Sequence, residues 1–134
     1  MTKTNSKHII ESKTVNVYAL DEDTLLFEYK RDTLIELADL KYAYDQYSEL
    51  TKHKLHKVII DFPQFTSLTA QAREYAVASQ LPAIAEAIVF KTLSQRITAR
   101  FYYMFNAKKH PVKVFTQREQ AIEWLEHIES PTID

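Results

Sequence analysis

The sequence predicts a single α/β domain in which helices pack on a mixed sheet of about five strands. Two observations predict it. Short apolar segments such as 58–60 and 87–90 are typical of strands covered on both faces. They alternate with longer segments, such as 93–106, whose apolar residues recur at helical spacing. Alternation of this kind indicates strand–helix–strand units, and hence parallel strands joined by helical crossovers.

The predicted element order is ββαβαβαβα. The first two strands, 15–20 and 24–29, form a hairpin because only Asp21, Glu22 and Asp23 separate them. Helices are expected at 33–51, 68–79, 93–106 and 116–128, and strands at 58–60, 87–90 and 111–115. Segment 83–90 is ambiguous because its alanines favour a helix, and we choose a strand for its second half. The domain is expected to span 13–129, with flexible tails at 1–12 and 130–134.

Two residue types are absent, and their absence excludes several functions. The chain has no glycine, where average usage of about 7% would give around nine. Phosphate-binding loops, dinucleotide fingerprints and nucleophile elbows all need glycine for close backbone approach, so these enzyme classes are not expected. The chain also has no cysteine, which excludes disulfides and thiolate zinc ligands and favours a cytoplasmic protein. Without such motifs we expect no cofactor and no catalytic activity.

Two further patterns bear on metals and membranes. His53 and His56 have the spacing of metal ligands, but three nearby lysines oppose a dication, so we expect no metal site. Capping of the carbonyls at the end of helix 33–51 is the expected role of these histidines. No apolar run approaches the roughly 18 to 20 residues that span a bilayer, so no integral membrane segment is expected.

The first candidate site is the turn from Asp61 to Thr69, which follows the apolar strand 58–60 and opens a helix. Ligands of open α/β sheets bind at this kind of position. The hydroxyls of Thr66, Ser67 and Thr69 are candidates for phosphorylation or partner binding, and capping of the helix is the structural alternative. Asp61 could be a catalytic carboxylate, but capping of the loop is the more common role.

The second candidate site is an aromatic and basic segment in the last third of the chain. No acidic residue occurs from Ala87 to Arg118, and five acids follow in 119–134. A helical core face explains part of the pattern, but two tyrosines fall outside that face. We predict an interaction patch for a protein or for a second copy of the chain, formed by Arg96, Arg100, Tyr102, Tyr103, Lys108 and Lys109. Nucleic acid is not expected at a net charge of −1.

The element order, and an apolar strand ending in Asp61 before a hydroxyl-bearing helix start, resemble the STAS domains of anti-sigma-factor antagonists. Segments 92–96, 100–106, 110–116 and 121–125 are similar to small bacterial STAS-like proteins grouped with CRAL-TRIO-type domains. The resemblance implies a STAS-like domain. It also implies phosphorylation by a partner kinase at the turn. Segment 65–72 keeps the hydroxyls, although it lacks the Asp and Gly of the family's Asp-Ser-x-Gly turn.

We therefore expect a non-enzymatic regulatory module of STAS type that binds a protein partner and is controlled by phosphorylation. Two alternatives remain open. The first is a protein that binds a small apolar ligand or a lipid through the aromatic segment. The second is an enzyme built on Asp61 and a distant histidine.

Overall fold

The computed structural model describes residues 7–52, 54–79, 81–92 and 109–129. Its strands are β1 (Lys7–Glu11), β2 (Val15–Asp21), β3 (Thr24–Tyr29), β4 (Leu34–Ile35), β5 (Lys57–Phe62), β6 (Ser67–Leu68), β7 (Ala85–Phe90) and β8 (Val112–Phe115). Its helices, in the same described ranges, are α1 (Leu37–Thr51), α2 (Ala70–Ala78) and α3 (Arg118–Glu126). The predicted helix 93–106 lies outside the described residues, as do 1–6 and 130–134.

The main sheet has the strand order β1-β2-β3-β5-β7-β8. The first two pairings are antiparallel, and β3, β5, β7 and β8 run parallel to one another. The predicted α/β class with a mixed sheet is therefore confirmed. The ambiguous segment is a strand, because Ala85–Phe90 is buried throughout and pairs on both sides. Strands β4 and β6 form a separate parallel pair that the sequence did not predict.

Helices cover both faces of the sheet. Leu40 and Tyr47 of α1 and Ala72 of α2 pack with Val58 on one face. Ala121 and Leu125 of α3 pack on the opposite face. This two-sided cover explains why β5 and β7 consist largely of buried apolar residues, as parallel strands under two helical layers must.

The amino-terminal segment differs from the prediction. Residues 7–11 were expected in a flexible tail, and instead they form the edge strand β1, paired with β2. Only Ile10 packs against the core, and Ile9 lies at an irregularity in the register, so the segment lacks the apolar alternation of a strand. A bulge in an edge strand also hinders pairing with other chains.

Helix starts differ from the prediction as well. Thr33 was expected to begin the first helix, but α1 starts at Leu37 with Glu36 as N-cap, whose side chain and that of Asp39 form a capping box. Residues 34–35 are taken up by β4 instead, because they pair with Ser67–Leu68. Similarly, α3 starts at Arg118 behind the N-cap Gln117, two residues after the predicted Thr116.

Among the described residues of this glycine-free chain, three have left-handed backbone geometry: Asp32, Lys52 and Phe65. Asp is a residue type that tolerates this geometry well, whereas lysine and phenylalanine adopt it less often. Lys52 ends α1 with φ 51 and ψ 41, where glycine is the usual residue. The left-handed conformation costs a residue with a Cβ roughly 1–2 kcal/mol.

We predict that Lys52→Gly raises the free energy of unfolding by roughly 0.5–1 kcal/mol, because glycine adopts this geometry without steric cost. Urea unfolding measures the change. The matched control is Glu49→Gly, which places glycine at an exposed position inside the helix and lowers stability by about 0.5–1 kcal/mol. Equal effects of the two substitutions would contradict the assignment of Lys52 as a left-handed cap.

Core tyrosines predict a loss of stability at alkaline pH. Burial raises the pKa of Tyr47 to about 12, and burial also raises the pKa of Tyr29 and Tyr44. In the unfolded chain these phenol groups ionise near pH 10, whereas in the folded chain they stay neutral to higher pH. Their contribution to the free energy of unfolding is therefore fully present below pH 10 and is lost as the pH rises toward 12. We expect unfolding free energies to fall across this window. Tyr47→Phe should make the fall less steep; an unchanged slope would contradict the assignment.

Candidate functional site

The candidate site lies at the carboxyl edge of the parallel strands and begins with two carboxylates. Glu28 of β3 and Asp61 of β5 are register partners, so their side chains lie on the same face. Like charges directly opposite one another destabilise a sheet, and a cation is needed between them. The side chain of Asp61 is only 5% exposed, which makes an uncompensated charge there more costly still.

Arg118, the first residue of α3, supplies that cation. Its Nε donates to Asp61 Oδ2 at 2.9 Å, and its Nη2 donates to Glu28 Oε2 at 2.5 Å. Burial lowers the pKa of Arg118, but the hydrogen bonds and charges of Glu28 and Asp61 outweigh it and raise that pKa overall. We call Glu28, Asp61 and Arg118 the arginine clamp. It ties the start of α3 to the ends of two strands.

Strand β2 extends the clamp on the same face. Tyr18 OH donates to Glu28 Oε1 at 3.4 Å, and the ring of His8 stacks on Tyr18 with centroids 4.9 Å apart. Burial and the adjacent Glu28 carboxylate raise the pKa of Tyr18. The four neighbouring strands β1, β2, β3 and β5 thus each contribute one side chain to a series of contacts that ends at Arg118.

An aromatic stack holds the same strand ends on the opposite face. Phe62 lies between Tyr29 and Phe90, with centroid distances of 5.2 and 4.9 Å and interplanar angles of 6°. These three residues follow Glu28, Asp61 and Val89 directly. The stack on one face and the clamp on the other therefore keep β3, β5 and β7 in register where they end.

A cleft of about 480 Å³ opens at this edge. Its volume falls within the roughly 300–1,000 Å³ typical of small-molecule sites. The lining is mostly charged: Glu28, Lys30, Arg31, Asp61, Lys91, Arg118 and Glu119, with Tyr29, Pro63 and Gln117. Asp61 Oδ1 is buried and has no hydrogen-bond partner among the residues that the structure describes.

The three predicted hydroxyls of the turn have different surroundings. Thr66 is buried and its Oγ1 donates to Lys30 O at 2.8 Å. Thr69 is the N-cap of α2, and its Oγ1 accepts from the Ala72 amide at 3.1 Å. Ser67, by contrast, is exposed on β6. Structural roles thus account for Thr66 and Thr69, and Ser67 is the most accessible hydroxyl of the three.

Large apolar side chains are exposed beside Ser67. Phe65 is 68% exposed, and Leu34, the register partner of Ser67, is 53% exposed. The Arg31 guanidinium lies 5.9 Å from the centroid of the Phe65 ring. We call Arg31, Leu34, Phe65 and Ser67 the Phe65 surface.

Among the other predicted site residues, Lys109 is exposed, and the remaining five residues of the aromatic and basic patch lie outside the described part of the chain. His53 also lies outside it, and His56 Nδ1 is 2.9 Å from Lys54 O. Within the described ranges no group of three or more His, Asp or Glu side chains could hold a metal ion, and no helix is long and apolar enough to cross a membrane.

The sequence prediction missed Glu28, Arg118 and the apolar members of the Phe65 surface. A signal for Glu28 was present, because β3 and β5 both end in an acid followed by an aromatic residue: Glu28-Tyr29 and Asp61-Phe62. Parallel register then places the two acids together. The exposure of Phe65 had no comparable signal, since an isolated phenylalanine in a turn is also a common core residue.

Comparison with known proteins supports the fold assignment. Residues 18–129 match the model of a family described as Domain of unknown function (DUF7793). The chain belongs to this family. No curated protein matches it in sequence.

A solved structure shares the architecture. It is the crystal structure of an uncharacterized protein of the DUF3478 family from Shewanella loihica PV-4, described as having a SpoIIAA-like fold. The match has a TM-score of 0.59 and 15% identity, and covers 87% of this chain and 98% of the other. At that identity the likeness shows the fold, and it confirms the predicted STAS-like fold.

We predict that Arg118→Lys lowers the free energy of unfolding by about 1–2 kcal/mol, because one ammonium group cannot reproduce the two-carboxylate geometry of a guanidinium. Arg73→Lys is the matched control, since exposed Arg73 donates to the Leu68 carbonyl and to no carboxylate in the part of the chain that the structure describes. Chemical unfolding of both variants measures the difference. A loss at Arg118 no larger than the loss at Arg73 would show that the clamp geometry contributes little.

Proposed function

We propose that this protein is a non-enzymatic regulatory module that binds a protein partner through the Phe65 surface. The observation that carries the proposal is the exposure of Phe65 and Leu34 beside the accessible hydroxyl of Ser67. Adjacent exposed apolar side chains mark interaction sites on soluble proteins. Aromatic residues and arginine are also the residue types enriched at the centres of protein interfaces.

The backbone geometry supports a binding role for Phe65. Its φ of 63 places a bulky residue in the left-handed region, where it costs stability. A large ring that is exposed and conformationally costly makes no evident contribution to folding. Residues held in such conformations cluster at binding sites, which is consistent with a ring that packs against a partner.

Ser67 is the proposed control point. A phosphate on its hydroxyl would add about two negative charges to a surface that carries Arg31. The expected partner surface is apolar and acidic, because it has to cover Phe65 and Leu34 and face the Arg31 guanidinium. The phosphate would then repel the acidic residues of the partner, and the partner would dissociate. A bacterial cytoplasmic setting and a modifying protein kinase are proposed from the STAS resemblance.

The arrangement around Asp61 favours binding over catalysis. Asp61 is held by Arg118, and none of the four described histidines hydrogen-bonds to it. Glu86 and His110 do pair at 3.0 Å in a buried position, but Glu86 packs on the opposite face of the sheet, with α1 and α2. An acid–base pair at the cleft is therefore not formed by the described residues. The apolar-ligand alternative rests on Tyr102 and Tyr103, outside the described part, and the charged cleft does not favour it.

We expect Phe65→Ala and Leu34→Ala to weaken partner binding at least about tenfold, by loss of the two central apolar contacts. Alanine also has a Cβ, so the Phe65→Ala variant keeps the steric cost of the left-handed conformation at this position. The effect on the free energy of unfolding is therefore small. The controls are Leu55→Ala and Tyr42→Ala, which truncate exposed apolar residues elsewhere on the chain.

The measurement is quantitative affinity capture from the host with each variant, followed by the affinity of the purified partner. Ser67→Glu should release the partner and Ser67→Ala should retain it. If Phe65→Ala and Leu34→Ala retain the partner as well as the two control variants do, this surface is not the docking site. If the captured protein is a second copy of the chain, and its capture requires Phe65, the partner is the chain itself and the surface forms a homodimer.

A further inference from the structure

Strand β8 is the last strand of the main sheet, and no strand of the described ranges pairs with its outer side. On its inner side, Glu86 N donates to Pro111 O at 2.9 Å. The backbone groups of Pro111 and Lys113 therefore face β7. Because backbone groups alternate in direction along a strand, the N–H and C=O groups of Val112 and Val114 face outward.

Of the two edges of the sheet, β8 is the better suited to pair with another strand. The register of β1 with β2 is irregular between His8 and Ile10, and such a bulge hinders further pairing. The register of β8 with β7 is regular from Val112 to Phe115. A regular, unpaired edge offers a row of donors and acceptors to a strand of another chain.

A groove of about 520 Å³ lies between this edge and α3. It is lined by the partly buried rings of Phe115 and Trp124, whose centroids are 5.7 Å apart, and by exposed Glu123. Lys113 is exposed on the same face of β8 as Phe115, with its ammonium 5.6 Å from the centroid of that ring. The edge therefore presents a cation beside a groove that carries a carboxylate and aromatic rings.

The position of Lys113 favours one register for antiparallel pairing of two β8 strands. Pairing centred on Lys113 would place two ammonium groups opposite each other, which destabilises a sheet. Pairing centred on Phe115 would leave Val112 beyond the end of the other strand. Pairing centred on Val114 has neither defect. The two Val114 residues exchange backbone hydrogen bonds, and each Lys113 lies opposite Phe115 of the other copy.

We propose that the outer edge of β8 is an interface between two copies of this chain, which pair antiparallel about Val114. Each Lys113 then extends over the groove of the other copy, between the Phe115 ring and Glu123, where a cation–π contact and the opposite charge stabilise it. Residues 119–134 contain five acidic residues and no lysine or arginine, so this part of the chain attracts a cation. The interface shares no residue with the Phe65 surface or with the arginine clamp.

Sedimentation equilibrium of the full chain measures whether this dimer forms. The mass should change from 15.7 kDa to twice that value as the concentration rises from about 10 μM to about 1 mM, a range suited to a small interface. A single species of 15.7 kDa at the highest concentration would overturn the proposal.

Val114→Pro tests the pairing of the edge. The substitution removes an N–H group that faces outward, so the hydrogen bonds between β8 and β7 remain. This variant should be monomeric over the whole concentration range. The matched control is Val114→Ala, which keeps the N–H group and should still dimerise. Circular dichroism establishes that both variants are folded, and a folded proline variant that dimerises like the control would contradict the proposal.

Exchange of the two charges tests the register, and it decides the matter if the proline variant does not fold. Lys113→Glu and Glu123→Lys each place like charges at both symmetry-related contacts, so each should weaken the dimer about tenfold. Both substitutions are at exposed positions and should leave the fold intact. An equimolar mixture of the two variants makes both contacts attractive again and should recover the affinity of the unmodified chain. A mixture that dimerises no better than either variant alone would overturn the proposal.

Phe65→Ala separates this interface from the Phe65 surface. The variant should lose partner binding and keep the dimer, because Phe65 lies outside the β8 interface. Loss of the dimer in Phe65→Ala would assign the contact between copies to the Phe65 surface and would contradict the assignment to β8. Capture of a different protein that is lost in Val114→Pro, together with a monomeric unmodified chain, would assign the edge to that protein and would also overturn the proposal.

Discussion

The parallel register of β3 and β5 creates an electrostatic conflict on which the functional edge of this protein depends. Glu28 and Asp61 are paired across the two strands on one face, and Asp61 is almost fully buried. Arg118 resolves the conflict by donating to both carboxylates from the first residue of α3. The position of that helix start, and hence one side of the cleft, follows from the charge that the strands require.

The two candidate sites share structural elements. The clamp and the Tyr29–Phe62–Phe90 stack hold the strand ends from opposite faces, and the turn that leaves β5 carries Phe65 and Ser67. Arg31 lines the cleft and also lies over the Phe65 ring. A charge introduced at the cleft or at the Phe65 surface therefore acts on Arg31, which belongs to both. Rigid strand ends that support an exposed turn are a common way to present binding residues.

Much of the fold was predictable because strong local patterns and the tertiary structure agree. The hairpin at Asp21–Asp23 follows from turn chemistry, and apolar pattern predicted the cores of two buried strands, at 58–60 and 87–90, which the structure extends to 57–62 and 85–90. Strand β1 was missed because its side chains are mostly exposed, and β4 because pairing with β6 overrode a local capping pattern. Of the site, the sequence indicated Asp61 and Ser67. It could not indicate Arg118, since a contact 57 positions away in the chain depends on the docking of α3.

The most direct test of the account is a double-mutant cycle between Arg118→Met and Asp61→Asn, measured by chemical unfolding. If Arg118 compensates the buried carboxylate, the first substitution should be costly alone and much less costly when Asp61 is already neutral. The account predicts a coupling energy of about 2 kcal/mol, within the range for residues that share one ion-pair network. A coupling energy near zero would contradict it, because the helix start, the register and the cleft would then not depend on this interaction.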